Sequence, residues 1–386
     1  MGLDVTTTRR IADVDARAWD ALAGADNPFV EHAFLAHLEA SGSVGGRSGW
    51  APQHLLVWRV GPAGRQLVGA APAYLKNHSQ GEYIFDFAWA QACERAGIPY
   101  YPKLVIAVPF TPATGPRLLA HPSADASGVR RALVTGAQAL AERVGAWSCH
   151  ALFTEPREVA DLEAGGWMGR LSHQFHWMNQ GYADFDAFLG AMVSKRRKEV
   201  RRERRQAASL GLELAVERGE GLSDDDLEAL RLCYLSTISE HWAIPYLSEA
   251  WFAGLRDALG HRAVVATARR EGRIVAASLA FVKGSNLYGR YWGHLEPVPA
   301  LHFELCYYQF IAWAIDNGLA RFEAGAQGHH KLARGFMPQP CHSAHWIRHP
   351  GLKRAVSDFL VEEADAVRAQ MDALAASGPF RCGSGP

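Results

Sequence analysis

Residues 28–38, PFVEHAFLAHL, line up without a gap against residues 245–255, PYLSEAWFAGL. Phe29 falls on Tyr246, Phe34 on Trp251, Leu35 on Phe252 and Leu38 on Leu255. In both stretches a proline stands where a helix is entered, and the apolar residues recur at helical spacing. The correspondence continues outward. Residues 54–60 (HLLVWRV), a turn GPAGR and residues 66–75 (QLVGAAPAYL) match residues 263–269 (AVVATAR), a turn REGR and residues 274–282 (IVAASLAFV). Each set reads as an apolar hairpin around a Gly-containing turn. Both halves then offer a strand (KLVIAVPF at 103–110; LYGRYWG at 287–293), a proline-containing loop, a long helix (127–144; 301–317) and another strand (SCHALFT at 148–154; ARFEAG at 320–325). Agreement in the order of these elements predicts one α/β unit used twice.

A chain of 386 residues has room for two domains at roughly 100–200 residues each. The expected division is a first domain at 1–182, a connecting helix at 183–211 and a second domain at 212–386. With 40 Lys and Arg against 40 Asp and Glu, no net field gathers nucleic acid or membrane, so such a partner has to be met by a local patch. Cys93, Cys149, Cys233, Cys306, Cys341 and Cys382 form no CxxC pair, which argues against a disulfide framework. No run approaches the roughly 20 apolar residues of a membrane span, and the opening MGLDVTTTRR has no apolar core. The expectation is a cytoplasmic protein without a membrane span.

Residues 184–211 read DFDAFLGAMVSKRRKEVRRERRQAASLG. Asp184 as N-cap, one apolar face of Phe185, Phe188, Leu189, Met192 and Val193, and Gly211 as stop predict a single continuous helix. From Lys195 and Arg196 on to Arg204 and Arg205 it carries eight basic residues against Glu199 and Glu203. That run reads either as a solvated face, neutralised by spacings such as Lys195 with Glu199, or as a contact for a phosphate-rich partner such as RNA.

Residues 287–336 crowd His, Glu, Arg, Lys, Tyr and Gln side chains around a strand, a helix and a second strand. Unpaired buried polar groups are costly, so such a segment lines a site. Arg290 and Tyr291 alternate on their strand, which sends one to the site and the other to the opposite layer. Arg290 reads equally as an ion-pair partner of Glu323 or as a holder of substrate carboxylate. His302 and Glu304, two apart on a helix, cannot share a face, whereas Glu304 and Tyr308 can. Lys331 and Arg334 sit in a loop hinged by Gly325, Gly328 and Gly335, suited to binding phosphate or carboxylate. In the first half Lys76, Ser79, Glu82 and Asp86 form a second polar set beside aromatic residues. The histidines and thiol at His329, His330, Cys341, His342, His345 and His349 fit no compact ligand spacing, and the alternation of HSAHWIRH sends His342 and His345 to opposite faces, so no metal is expected.

Several strings together, GEYIFDFAWAQACERAGIPYYPKL, FTPATGPRLL, RRKEVRRERR, LYGRYWG, LHFELCYYQ and GAQGHHKLARGF, resemble the FemAB-like family of predicted N-acyltransferases, also described as peptidoglycan biosynthesis or recognition proteins, within the GNAT superfamily. The resemblance spans nearly the whole chain. It implies two tandem GNAT-like domains, each a mixed, mostly antiparallel sheet flanked by helices. It also implies transfer of an acyl or aminoacyl group to an amine of an amino-acid-like, peptide or amino-sugar acceptor. One departure is visible: His329 stands where the family string has an acid, while His330, Lys331, Arg334, Gly335 and Phe336 match.

Direct transfer needs a neutral amine, an oxyanion stabiliser and a protonated leaving group, for which His302, Glu304, Glu323 and His330 are the candidate catalytic groups. Arg290, Tyr291, Tyr308, Gln327, Lys331 and Arg334, with Lys76, Ser79, Glu82 and Asp86, are candidates for substrate binding. No Ser or Cys sits in a nucleophile motif, and Cys306 reads as packing. GNAT enzymes hold the pyrophosphate of acyl-CoA on backbone N–H groups of a Gly-rich turn. The matching second-half segment, HLEPVPALH, has no glycine, and Pro297 and Pro299 offer no N–H. The first-half segment, with Thr111, Thr114, Gly115 and Arg117, is therefore the candidate cofactor loop. Acyl-CoA and aminoacyl-tRNA both stand as donors, and a non-catalytic ligand-binding module stands as the other class.

Overall fold

The computed structural model describes residues 2–62, 64–240, 244–325 and 328–381. It forms two compact units, Met1–His173 with Pro340–Ala369, and Gln174–Gln339 with Gln370–Pro386. These are not the consecutive blocks 1–182 and 212–386. Residues 340–347 belong to the first unit because His345 and Ile347 pair with His150 and Ser148.

In the first unit Gly2–Thr8, His54–Gly61 and Gly64–Ala71 form an antiparallel set. Pro72, which has no N–H to give a ladder, separates Gly64–Ala71 from Ala73–Lys76. Ala73–Lys76 pairs antiparallel with Lys103–Ile106, which runs parallel to Ser148–Thr154 through Leu104↔Cys149, Val105↔His150 and Ile106↔Ala151. A parallel pair requires a crossover, here the helix Ala126–Arg143. Its stripe Val129, Leu133, Ala137 and Leu140 packs on Leu55, Val57, Leu104, Ile106 and Ala151, every one buried.

The second unit repeats this order. Glu213–Arg218, Ala263–Arg270, Arg273–Lys283 and Asn286–His294 are successively antiparallel. Glu271 and Gly272 both have positive φ, the signature of a two-residue hairpin turn whose twist matches the strands. Asn286–His294 then runs parallel to Arg321–Glu323, and Arg321–Glu323 is antiparallel to the end of Met168–Met178. The crossover runs through Leu301–Phe303, a π-helical turn Glu304–Tyr308 and Gln309–Asp316. Leu305, Tyr308, Phe310, Ile311 and Ala314 bury against Leu287, Phe322 and Phe336. Gly293 lets the helix Asp224–Glu240 press onto its strand: a Cβ there would lie 1.6 Å from the Cys233 carbonyl oxygen.

The expected continuous helix at 184–211 is two helices, Phe185–Ala191 and Ser194–Ala208. Asp184 caps the first, accepting from the Ala187 N–H at 2.7 Å. The break follows from backbone bonding elsewhere: Met192 and Val193 are extended, Met192 bridges to Phe380, and Val193 N–H donates to Pro379 C=O at 2.8 Å. The basic helix thus lies within the second unit.

Candidate functional site

In the second unit the parallel strands stay together for three pairs only: Asn286↔Arg321, Leu287↔Phe322 and Tyr288↔Glu323. Where they part, a cavity of about 240 Å³ opens, lined by Gly289, Arg290, Tyr291 and Trp292 on one strand and Ala324 after the other. The crossover helix adds His302, Cys306 and Tyr307, and the following loop adds His330 and Lys331. Simple alternation would have put only one of Arg290 and Tyr291 here. The register shifts between Leu279 and Ala280, pairing Leu279 with Tyr291 and Ala280 with Gly289, so Arg290 is the extra residue of a β-bulge and both side chains line the cavity. The Arg290 guanidinium lies 5.1 Å from the centre of the Tyr291 ring.

The loop is held by its glycines. Gly328 at φ 110° starts the 3-10 turn His329–Arg334 and Gly335 at φ 95° ends it. A Cβ on Gly335 would also meet the Phe188 ring at 2.8 Å. This turn buries Lys331, whose Nζ donates to Gly325 C=O at 2.9 Å. Burial lowers the Lys331 pKa to about 8. Burial also lowers that of His302 to about 4, with His330, Arg334 and Lys331 adding to it. His330, open to solvent on one edge, is held below its ordinary value by burial of the other edge, then by Arg334 and Lys331. Its Nε2 lies 2.9 Å from the Tyr307 hydroxyl. Burial raises the Cys306 pKa to about 12 and keeps the Tyr307 phenol protonated. The cavity therefore presents two neutral imidazoles, one phenol paired with an imidazole, an inert thiol and two cations.

Glu304 and Tyr308 lie elsewhere. The buried Glu304 carboxylate takes Arg204 Nε at 3.3 Å and Gln309 Nε2 at 2.8 Å, the latter five residues on, as a π-turn allows. Burial raises its pKa, and Arg204 offsets part of that. The Tyr308 hydroxyl donates to Glu203, which also pairs with Arg334 at 2.7 Å, and the Arg334 guanidinium stacks on Phe303 at 3.4 Å. Glu323 is buried, 3.2 Å from Arg321 and 3.8 Å from His176, and does not line the cavity. Gln327 lies outside the described residues. His329, the departure from the family string, is exposed with its ring 6.0 Å from Phe175.

The first-half polar set does come together, around a residue the sequence reading missed. Lys103 Nζ donates to Ser79 Oγ at 2.8 Å, to Glu82 at 2.9 Å and to Asp86. Lys76 lies 3.7 Å from Glu82 and 3.6 Å from the centre of the Trp50 ring, and the Tyr100 hydroxyl donates to Asp86 at 2.5 Å. His150 and His345, buried beside this cluster, meet at 2.7 Å through their Nδ1 atoms. The available signal was a lysine opening the otherwise apolar strand KLVI directly after PYYP. All of these groups are closed off by neighbours.

The candidate cofactor loop is a structural plug. Arg117 is buried and its guanidinium donates to carbonyls: Nε to Leu152 at 2.9 Å, Nη1 to Pro116 at 3.0 Å and Nη2 to Ala113 at 2.6 Å. Gly115 N–H donates to Phe153 C=O at 3.0 Å, and a Cβ on Gly115 would lie 2.1 Å from Asn27 Nδ2. Thr111 Oγ1 donates to Pro109 C=O at 2.9 Å, and Thr114 Oγ1 sits 3.6 Å from Cys341 Sγ. Carbonyls claim the donors of Arg117, Gly115 and Thr111, so the loop does not offer them to a phosphate.

The sheet order, with an antiparallel run ending in a parallel pair that a helix crosses, makes each unit GNAT-like and the protein a tandem of two such units. The chain belongs to the FemAB-like family, described as peptidoglycan biosynthesis/recognition, whose model matches residues 10–382. The C-terminal domain of a putative lysylphosphatidylglycerol synthetase from Agrobacterium fabrum has the same fold at TM-score 0.55 and 13% identity, covering 94% of this chain and 96% of that one. FemX aligns at TM-score 0.55 and 12% identity, covering 89% and 98% respectively. No curated protein matches the chain. Among the described residues, no helix is long and apolar enough to cross a membrane.

Proposed function

We propose that the second unit is the catalytic half of a transferase that moves an acyl or aminoacyl group directly onto an amine of an amino-acid-like, peptide or amino-sugar acceptor. The observation that carries this reading is the cavity where the parallel strands part, with His302, His330, Tyr307 and Lys331 converging on it. The incoming amine loses a proton as its nitrogen bonds the acyl carbon, and the leaving group gains one. Neutral His330 is the base within reach of the cavity, and its contact with Tyr307 links it to a protonated phenol that can return a proton. Lys331 and Arg290 supply the positive charge for the developing oxyanion or for an anionic substrate group. Cys306, held as a thiol, leaves the transfer without a covalent enzyme intermediate.

Two donors are compatible with this chemistry. Acyl-CoA fits the GNAT-like strand split; against a conventional pyrophosphate cradle stand Pro297, Pro299 and the left-handed Ala300 at φ 72° leading into the helix. Aminoacyl-tRNA is favoured by the exposed cations Lys195, Lys198, Arg202 and Arg205 on the basic helix. Thermal-shift titration with acetyl-CoA, longer acyl-CoAs, aminoacyl-tRNA and muropeptide precursors separates the donors. Stabilisation by CoA compounds alone removes the tRNA reading. If no donor stabilises the protein, it is a ligand-binding module and the transferase reading fails.

A further inference from the structure

The π-turn has a second cavity on its other side, which the transferase reading does not use. We propose that this groove, between the basic helix Ser194–Ala208 and the Glu304 side chain, binds a zwitterion of dipeptide size, its ammonium at Glu304 and its carboxylate at Arg205. The groove holds about 420 Å³, within the usual range for small-molecule sites and on the scale of a dipeptide rather than one small amino acid.

Three observations fix the chemistry. Glu304 is 2% exposed, and while its Oε1 is shared by Arg204 and Gln309, its Oε2 has no hydrogen-bond partner among the described residues. A buried carboxylate oxygen left unmet is costly, so the groove wall carries an acceptor in want of a donor. Arg204 reaches Glu304 only through Nε and lays its guanidinium 4.3 Å from the centre of the Phe185 ring, and Arg205, also lining the groove, has no ion-pair partner among the described residues. Phe185, Leu189 and Leu214 also line the groove and offer apolar surface for short side chains. An isolated anion would satisfy the arginines and meet repulsion at Glu304. An isolated amine would do the reverse. A molecule carrying both ends satisfies both.

The two cavities share one helix without sharing a face: His302, Cys306 and Tyr307 line the first, Glu304 and Gln309 the second. The inference is read out as binding, so it stands or falls apart from the reaction proposed above. The test is calorimetric titration of the full chain with L-alanyl-L-alanine, its N-acetyl derivative, its C-terminal amide and inorganic phosphate. The free dipeptide is expected to bind, and the N-acetyl and amide forms to bind at least about tenfold more weakly. Glu304→Gln and, separately, Arg205→Ala are each expected to weaken the dipeptide at least about tenfold with an unchanged circular dichroism spectrum. Lys331→Ala, in the other cavity, leaves dipeptide affinity as it was. The proposal is overturned if the dipeptide does not bind, if phosphate binds as tightly, or if Lys331→Ala rather than Arg205→Ala abolishes binding. Should Glu304→Gln fail to fold, the exposed Arg205→Ala decides alone.

Discussion

The two units carry the same pair of parallel strands and the same crossover helix, yet the space beyond the strands is treated in opposite ways. In the first unit the carbonyls of Leu152 and Phe153, just past the last paired residue Ala151, are taken up by Arg117 and Gly115 of the unit's own loop. In the second unit the same position, just past Glu323, lines an open cavity with His302, His330 and Lys331. The polar residues differ in the same sense. Lys103 is enclosed and saturated by Ser79, Glu82 and Asp86, whereas Lys331 has its pKa lowered by burial beside an opening. A fold used twice thus keeps one copy as scaffold and one as site, and dense ionisable side chains mark both. What separates them is whether the chain has filled the gap between the strands.

The largest effect that tests this contrast is on stability of the first unit. Lys103→Met leaves buried Asp86 without its cation and buried Glu82 with Lys76 alone, and is expected to cost about 3–5 kcal/mol in urea unfolding. A loss below about 1 kcal/mol, on the scale of an exposed pair, would remove the scaffold reading. Arg117→Ala comes next. It strips hydrogen bonds from the Leu152, Pro116 and Ala113 carbonyls, and an expected cost of about 3 kcal/mol follows from leaving buried acceptors unmet. If this variant kept its stability and lost affinity for acyl-CoA, the loop would be a cofactor site after all.

Much of this was legible in the residues. The gapless match of residues 28–38 with 245–255 and the hairpins after them announced a double α/β unit, because periodicity and turns are local signals. What failed depended on distant partners. The helix at 184–211 is interrupted because Pro379 and Phe380, far away in sequence, capture Val193 and Met192. The Arg290 bulge is set by a register shift against Leu279 and Ala280, which alternation along one strand cannot reveal. Spacing correctly separated His302 from Glu304 but could not say which one faced the strand split. Arg117 read as a phosphate ligand because sequence shows a donor and not the carbonyls that consume it.

Lys331→Ala is the matching change in the open copy. It removes a buried cation whose Nζ donates to the Gly325 carbonyl, so stability is expected to fall by about 1 kcal/mol while kcat/KM falls about a hundredfold, or ~2.7 kcal/mol of transition-state stabilisation. The pH dependence follows from its lowered pKa. Between about 8 and the ordinary 10.5 the unfolded chain holds a proton on Lys331 that the folded chain has released, so this group's contribution to stability rises with pH across that window. Activity runs the other way, because the cation is lost above about 8. A falling limb there in kcat/KM that is absent in Lys331→Arg is the expected result, and a limb that persists in the arginine variant would assign it to another group.

The smallest effect separates the two faces of the basic helix. Arg196 pairs with Glu199 at 2.9 Å, in place of the expected Lys195 with Glu199, Arg201 pairs with Asp186 at 3.1 Å and Arg204 with Glu304. These cations are already committed within the second unit. Lys195, Lys198, Arg202 and Arg205 are exposed and have no ion-pair partner among the described residues, so they have charge to spend on phosphates. Each phosphate contact should add about 1 to the slope of log affinity against log salt. Lys198→Ala and Arg202→Ala are therefore expected to weaken aminoacyl-tRNA binding a few-fold and to flatten that slope by about 1 each, with Arg196→Ala leaving it unchanged. If all three variants behave alike, the exposed cations form a solvated face and the donor has to be sought at the strand split alone.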